Sequence, residues 1–148
     1  MTPEDPASES PYLRACNGRL VGVLRWEDLD ALWVQLRRLS DGGWYVYAVG
    51  DAPPAEPASR DQFERFLAEI RQRLEAEHKD DHCGIVYADD LTNPSFVKIF
   101  DPANLGAVCG CSNVPTLPGW TLSRMAPDDL RLAVTRREGR RWWRRLVG

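Results

Sequence analysis

Hydrophobic and polar positions follow different periods along the chain, and each period predicts a type of element. The first stretch with apolar residues to bury, YLRACNGRLVGVLRW (residues 12–26), has two apolar runs that flank Asn17-Gly18. An Asn-Gly pair tolerates the positive φ angles of a type I′ turn, which joins two antiparallel strands. We therefore expect a β-hairpin that turns at Asn17-Gly18.

Two later stretches repeat apolar residues every three to four positions, which is the spacing of an amphipathic helix. The first runs from Glu27 to Ser40 and ends before Gly42-Gly43. The second runs from Ser59 to about His78, and Gln62 completes the pattern of a capping box with Ser59. The apolar stripes are Leu29, Leu32, Trp33, Leu36 and Leu39 in the first helix and Phe63, Phe66, Leu67, Ile70 and Leu74 in the second. Each stripe predicts a helix with one buried face.

Short runs of apolar and aromatic residues between turn residues predict further strands. They are WYVYAVG (44–50), CGIVYA (83–88), SFVKIF (95–100) and WTLSRM (120–125), and the middle two form a hairpin across DDLTNP. Three prolines in residues 51–59 predict an irregular segment on the surface. DPANLG (101–106) predicts a helical turn, and APDDLRLAV (126–134) predicts a short helix that begins at Pro127. The order of elements predicts a two-layer α+β domain. Its antiparallel or mixed sheet has about five to six strands, and the two amphipathic helices pack on one face.

The composition is typical of one globular domain, with 148 residues of which 43% are hydrophobic and 28% charged. Residues 1–10 are expected to be disordered, residues 11–134 to form the α+β domain, and residues 135–148 to form a basic tail. No apolar run approaches the roughly 18 residues of a membrane span, and the N-terminus lacks the features of a secretory signal. These features predict a cytoplasmic protein whose four cysteines are free thiols.

Thiol and polar side chains are predicted to meet at one end of the hairpin formed by residues 83–88 and 95–100. Antiparallel pairing brings His82 and Cys83 towards Asp101, and the loop that carries Cys109 and Cys111 begins just after Asp101. His82, Cys83, Cys109 and Cys111 are therefore candidate metal ligands, and Cys83, His82 and Asp101 are candidate catalytic residues.

Three interpretations of this corner remain open. Thiolates and an imidazole bind zinc, although the one-residue gap between Cys109 and Cys111 fits less well than the usual two to four residues. Alternatively, Cys83 or Cys109 is a nucleophile with His82 as its base and Asp101 orienting the base, although neighbours on a strand point to opposite faces. We favour the third interpretation, in which the cysteines are packing residues and the protein holds no cofactor, because free cysteines are among the most buried residue types.

The last residues, TRREGRRWWRRLVG (135–148), contrast in charge with the rest of the chain. They hold six arginines and one glutamate, a formal charge of +5, so that the remainder carries −8 of the total of −3. On a helix the tryptophans gather on one side and most of the arginines on the other. The candidate partner-binding residues are Arg140, Arg141, Trp142, Trp143, Arg144 and Arg145. The tail is expected to meet an acidic surface on this chain, on a second copy or on a protein partner, with nucleic acid and an anionic membrane as alternatives.

The chain has no phosphate-binding glycine motif and no dinucleotide-binding fingerprint, so nucleotide chemistry lacks support. We expect a small non-catalytic binding or adaptor domain that meets a protein partner, or itself, through the sheet surface or the arginine–tryptophan tail. The alternative from a different class is a thiol- or metal-dependent enzyme, or a metal-binding protein, that uses the predicted corner. A further alternative is nucleic-acid or membrane-surface binding by the tail.

Overall fold

The computed structural model describes residues 10–78, 83–102 and 117–130, and within these ranges five strands form one antiparallel sheet. The strands are β1 (Val21–Val23), β2 (Tyr45–Ala48), β3 (Val86–Ala88), β4 (Phe96–Ile99) and β5 (Trp120–Ser123), in the spatial order β1-β3-β4-β5-β2. The helices in the same ranges are α1 (Pro11–Asn17), α2 (Trp26–Arg38) and α3 (Arg60–Glu77). The predicted α+β domain is confirmed.

Helices α2 and α3 cover one face of the sheet, which we call the helical face. The indole Nε1 of Trp33 in α2 donates a buried hydrogen bond of 2.8 Å to the carbonyl oxygen of Leu67 in α3. Both apolar stripes share one core cluster with the strand residues Val23, Val46, Ala48, Val86, Ala88, Val97, Ile99, Trp120 and Leu122. The prediction that both helices pack on the same face of the sheet is confirmed.

The opposite face, which we call the second face, carries a row of residues that crosses all five strands. The register pairs Gly22 with Tyr87 and Tyr87 with Lys98. The row continues from Lys98 to Thr121 and from Thr121 to Tyr47. Because neighbouring residues on a strand point to opposite faces, this row alternates with two rows of the helical face.

Helix α1 packs on the second face over β4, β5 and β2. Its Tyr12 is only 1% exposed, and its hydroxyl lies 2.8 Å from Thr121 Oγ1. The Tyr12 ring packs edge-on against Phe96, with centroids 5.7 Å apart, and Tyr47 and Val49 complete the buried cluster. This seven-residue helix therefore gives the second face a small core of its own.

The hairpin predicted at Asn17-Gly18 is wrong, because the preceding residues form α1. The Ser10 side chain caps this helix by accepting a backbone hydrogen bond, and Pro11 occupies the first turn, where its missing N–H costs nothing. Gly18 follows the helix with φ at −83°, so the positive φ of the predicted turn is not used. The burial of Tyr12 on the sheet outweighs the turn preference of Asn-Gly.

The two best-defined local motifs of the sequence are present as predicted. Ser59 and Gln62 form a reciprocal capping box at the start of α3. Strands β3 and β4 pair as a hairpin, closed by the Asp89 carboxylate, which accepts backbone hydrogen bonds from Ser95 and Phe96.

Residues 126–130 are not helical, so the helix predicted to begin at Pro127 is wrong over this stretch. Tertiary hydrogen bonds hold the segment against the second face instead. Asp128 accepts a bond of 2.8 Å from the Ser10 hydroxyl, and the Leu130 backbone N–H donates one of 2.9 Å to the Tyr47 hydroxyl.

Several predictions fall outside the described residues and stay predictions. They concern residues 1–9 of the disordered segment, the helical turn beyond Pro102 and the basic tail. In the described ranges, none of the helices combines the length and the apolar composition that a bilayer crossing requires.

The capping box satisfies two backbone groups in the first turn of α3, so Ser59→Ala is expected to lower the free energy of unfolding by about 1 kcal/mol. Urea denaturation followed by circular dichroism measures the change. Gln62→Ala should also destabilise the protein, because it removes the reciprocal bond. Gln72→Ala, at an exposed position of the same helix, should change stability by less than about 0.5 kcal/mol. Wild-type stability in Ser59→Ala would contradict the prediction.

Candidate functional site

The structure places two members of the predicted corner at the same end of the β3–β4 hairpin. The Phe100 backbone N–H donates to the Ile85 carbonyl oxygen at 2.9 Å, which extends the pairing towards Cys83 and Asp101. His82, Cys109 and Cys111 lie outside the described residues, so the grouping of all five side chains stays a prediction. The chain ranges that are described contain no group of three or more side chains suited to hold a metal ion.

Both the side chain and the main chain of Cys83 contact neighbouring residues. Its side chain is buried, its N–H donates to the Leu24 carbonyl oxygen at 2.6 Å, and its own carbonyl oxygen lies 2.7 Å from His78 Nε2. Burial raises the pKa of the Cys83 thiol, and a backbone hydrogen bond from Ile85 and the nearby Arg71 guanidinium only partly offset this. A thiol with a raised pKa is protonated at neutral pH and is a weak nucleophile. These surroundings favour a packing role for Cys83.

Two arginines of α3 connect this corner to the rest of the molecule. Arg71 donates to the Asp30 carboxylate at 2.8 Å, and its guanidinium lies 5.1 Å from the centroid of the Trp26 ring. Arg73 lies 3.9 Å from the carboxylate of Asp101, which is 5% exposed. A buried carboxylate needs such a partner, because a lone buried charge is costly. These two ion pairs therefore connect α3 to α2 and to the end of β4.

A different surface lies on the second face, which the described part of the chain covers only in part. Helix α1 lies over β4, β5 and β2, and the β1 and β3 end of the cross-strand row remains half-buried. We call the side chains at this end, together with their neighbour Phe100, the tyrosine shelf. Its members are Gly22, Tyr87, Lys98 and Phe100.

The tyrosine shelf is held in one arrangement by close contacts. The Tyr87 ring lies over Gly22, where an added Cβ would be only 2.9 Å from Tyr87 Cε2. Phe100 packs edge-on against Tyr87 with ring centroids 5.8 Å apart. Lys98 Nζ lies 5.7 Å from the Phe100 centroid and donates a 3.2 Å hydrogen bond to the Cys16 carbonyl oxygen at the end of α1. A cation at a helix C-terminus is favourable, so α1 itself positions Lys98.

The Cys16 thiol lies beside the shelf in a half-buried position. Burial raises its pKa, while a hydrogen bond with Tyr12 and the charge of Lys98 lower it to a smaller extent. Like Cys83, it is therefore a protonated thiol at neutral pH rather than an activated nucleophile.

Strand β1 forms the border of the shelf and the edge of the sheet. Val21 is 47% exposed, and Leu24, directly after the strand, is 63% exposed. Sequence analysis missed this surface because the hairpin prediction paired β1 with the segment that forms α1. The one available signal was Gly22, a glycine within a strand, which often marks a close approach by another group.

A cavity of about 230 Å³ lies beside β2, at the other edge of the sheet. Its polar side chains are Glu56 and Gln62, and Gln62 is engaged in the capping box. The remaining lining consists of Val46, Pro54, Pro57 and Ala58. One acid among prolines and alkyl groups does not form an acid–base pair, so the cavity offers no catalytic constellation.

Comparisons with known proteins leave this surface without a precedent, because no protein-family model, curated protein or solved structure matches the chain.

The raised pKa of Cys83 predicts a specific dependence of stability on pH. The unfolded thiol titrates at about pH 8.5, whereas the folded chain holds this proton more tightly, so its contribution to stability is fully present below that pH and is lost as pH rises through the higher folded-state pKa. The free energy of unfolding of the wild type should therefore fall as pH rises above about 8.5, and Cys83→Ala should show a shallower fall. Urea denaturation at several pH values measures both slopes. Identical slopes would show that Cys83 does not contribute.

Proposed function

We propose that this chain is a non-catalytic binding module that meets a protein partner through the tyrosine shelf and the adjoining edge of the sheet. The observation that carries the proposal is that residues 10–78, 83–102 and 117–130 cover the second face only in part. Tyr87 and Phe100 are half-buried beside Gly22, and Leu24, directly after β1, is exposed. Contiguous apolar surface of this kind, rimmed by polar residues, is typical of a protein interaction site.

The chemistry of the tyrosine shelf supports binding. Aromatic residues are enriched in protein interfaces because they offer a large contact area with few torsions to fix. Tyr87 and Phe100 already contact each other, and Gly22 supports the Tyr87 ring. A partner would therefore meet a surface whose side chains are already ordered, which lowers the entropy cost of association.

The enzyme alternative receives less support from the described residues. Their two thiols, Cys16 and Cys83, both have raised pKa values, and Arg71 and Arg73 lie beside carboxylates that they neutralise. The alternative now depends on His82, Cys109 and Cys111. We also propose a reducing compartment such as the cytoplasm, since Cys16 and Cys83 are free thiols.

If the tyrosine shelf binds a partner, Tyr87→Ala should reduce recovery of that partner from a native extract by about tenfold, the loss typical of a hot-spot aromatic. The matched control is Tyr45→Ala, since Tyr45 is a half-buried tyrosine on the second face at the opposite edge of the sheet. Quantitative mass spectrometry of proteins captured by the three immobilised chains measures recovery. Equal recovery by Tyr87→Ala and wild type would refute binding at the shelf.

The basic tail is a second candidate interaction element, and the position of Leu130 favours it. Leu130, the last described residue before the tail, packs against the cluster of Tyr12, Tyr47, Val49 and Phe96 on the second face. The tail's formal charge of +5 against −8 for the remainder supports an acidic surface as its target. Anionic membrane or nucleic acid would be recognised by the same arginines and tryptophans.

Removal of residues 135–148 should leave the melting temperature nearly unchanged, because the described core clusters lie between Tyr12 and Leu130. It should abolish the association of the tail with an acidic surface, which weakens with added salt. Replacement of Trp142 and Trp143 by Ala should weaken that association at every salt concentration, whereas replacement of the four arginines 140, 141, 144 and 145 by Gln should chiefly remove its salt dependence. Calorimetry and the same capture assay measure these effects. Unfolding of the truncated chain would instead make the tail part of the core.

A further inference from the structure

The hydrogen bonds of β3 show which of its residues bond to each neighbouring strand. The Phe100 N–H donates to the Ile85 carbonyl oxygen, so Ile85 directs its main-chain groups at β4. Bonding direction alternates along an antiparallel strand. Tyr87 therefore also bonds towards β4, whereas Val86 and Ala88 bond towards β1.

The same alternation applies to β1 and decides which of its groups face outward. Val21 and Val23, the partners of Ala88 and Val86, bond to β3. Gly22 lies between them, so its N–H and C=O point away from the sheet. Within the described residues β3 is the one strand that pairs with β1, and such outward groups can pair with another chain.

The edge formed by β1 is complementary to itself. Antiparallel pairing of two β1 strands about Gly22 makes the two glycines a central pair that exchanges two hydrogen bonds. In this register Val21 lies opposite Val23 of the second copy, and Leu24 lies opposite Leu20. Val21 and Leu24 are the exposed apolar side chains of this edge. Each of them therefore meets an apolar side chain of the second copy.

Gly22 also makes room for the tyrosine shelves of both copies. The Tyr87 ring lies over Gly22, with Cε2 only 2.9 Å from the position of an added Cβ. The Cα atoms of a hydrogen-bonded antiparallel pair are about 5.5 Å apart. The two Tyr87 rings would therefore lie side by side over the pair of glycines. A second copy offers a glycine where most other strands would offer a side chain, and it joins the two shelves into one surface.

Neither end of the edge concentrates charge of one sign. Arg25 forms an ion pair with Glu27, with 2.5 Å between Nη2 and Oε2. At the other end, the β1–β3 register continued by two positions places the exposed Asp90 opposite Arg19. Two-fold pairing brings Arg19 of one copy opposite Arg25 of the other, and each arginine has a carboxylate of its own chain nearby. The charges therefore permit the pairing of identical chains.

We propose that this chain dimerises by antiparallel pairing of two β1 strands about Gly22, so that the two five-stranded sheets become continuous. The contact is isologous, because the same strand serves both copies, and it closes at two copies. This inference rests on the proposed function, since it names a second copy as the protein that the edge beside the tyrosine shelf binds.

Sedimentation equilibrium of the full chain tests the proposal. A contact between short strands buries little area, so we expect a reversible monomer–dimer equilibrium with a Kd between about 1 and about 100 µM. Because the charges at the edge are mixed, a rise in salt from about 50 to about 500 mM should change this Kd by less than about threefold. A chain that stays monomeric up to about 1 mM would overturn the proposal. So would assembly beyond a dimer, or a dimer that salt dissociates, which would assign the association to the basic tail.

Matched lysine substitutions locate the contact. Val21→Lys and Leu24→Lys each place a cation opposite an apolar side chain of the second copy and should raise the Kd by about tenfold or more. Val34→Lys on α2 makes the same change at an exposed apolar position away from β1 and should leave the Kd unchanged. Circular dichroism checks that the three variants are folded. Equal Kd values in the edge and control variants would reject β1 as the contact.

Amide exchange of the wild type, measured by NMR, tests the register without any substitution. The Gly22 N–H faces outward in the monomer and bonds to the second copy in the dimer, so its exchange should slow as the protein concentration rises. The N–H groups of Val21 and Val23 bond to β3 in both states, so their exchange should not follow concentration. Slow exchange of Gly22 at every concentration would mean that another part of this chain pairs with β1. Fast exchange at every concentration would mean that nothing does, and either result would overturn the proposal.

The dimer and the proposed function fail in distinguishable ways. If the chain stays monomeric while Tyr87→Ala loses a captured protein other than the chain itself, the shelf binds that protein and the dimer is overturned. If Val21→Lys dissociates a dimer while Tyr87→Ala captures as much of other proteins as the wild type, the edge pairs and the shelf is not a binding site. Loss of a different captured protein from a monomeric Val21→Lys chain would assign the edge to that protein and overturn the dimer.

Discussion

The burial of Tyr12 on the second face is the constraint on which the rest of the surface depends. Its ring packs against Phe96 and Tyr47, and its hydroxyl bonds to Thr121. Burial raises the pKa of this hydroxyl, which therefore stays neutral in the core. Because α1 has only seven residues, it covers the sheet around Tyr12 and extends no further. Among the described residues, the position of one tyrosine thus decides which half of the second face is core and which half is only partly buried.

The two faces of the sheet serve different purposes for a physical reason. The helical face is covered by two amphipathic helices of 13 and 18 residues, whose stripes reach across every strand. Cys83 and Asp101 lie in this layer, where Arg71 and Arg73 form ion pairs with Asp30 and Asp101. The packing of α2 and α3 on the helical face holds the strands in place. The second face can therefore present Tyr87 and Phe100 without losing the stability of the fold.

The sequence predicted the helical layer well because its signals are repeated and local. The stripe from Leu29 to Leu36 and the Ser59 capping box each involve residues within a few positions of one another. Residues 11–23 gave conflicting local signals, since Asn17-Gly18 favours a turn and Ser10-Pro11 favours a helix start. The contact of Tyr12 with Thr121, which is 109 positions away, resolved the conflict. No local pattern contains such a contact.

In the candidate site, too, some features follow from local sequence signals and others depend on long-range contacts. Pairing of β3 with β4 was predictable, and with it the shared end of Cys83 and Asp101. The tyrosine shelf was not, because the exposure of Tyr87 depends on where α1 stops and on which strand borders β3. Neither fact is encoded near Tyr87 in the sequence. The state of the Cys83 thiol likewise follows from burial by distant elements rather than from its neighbours along the chain.

The two edges of the sheet differ in a way that bears on partner choice. At the start of β2, the Ala58 N–H donates to the Trp44 carbonyl oxygen at 2.7 Å, and the proline-containing segment that follows β2 lies against that edge. Prolines cannot donate to a ladder, so this edge is closed to a further strand. At β1 the border consists of exposed Val21 and Leu24 between two arginines. Strand β1 contains no proline, so its main-chain groups can still pair with a further strand. Among the described residues, the sheet is therefore closed at its β2 edge and open at its β1 edge.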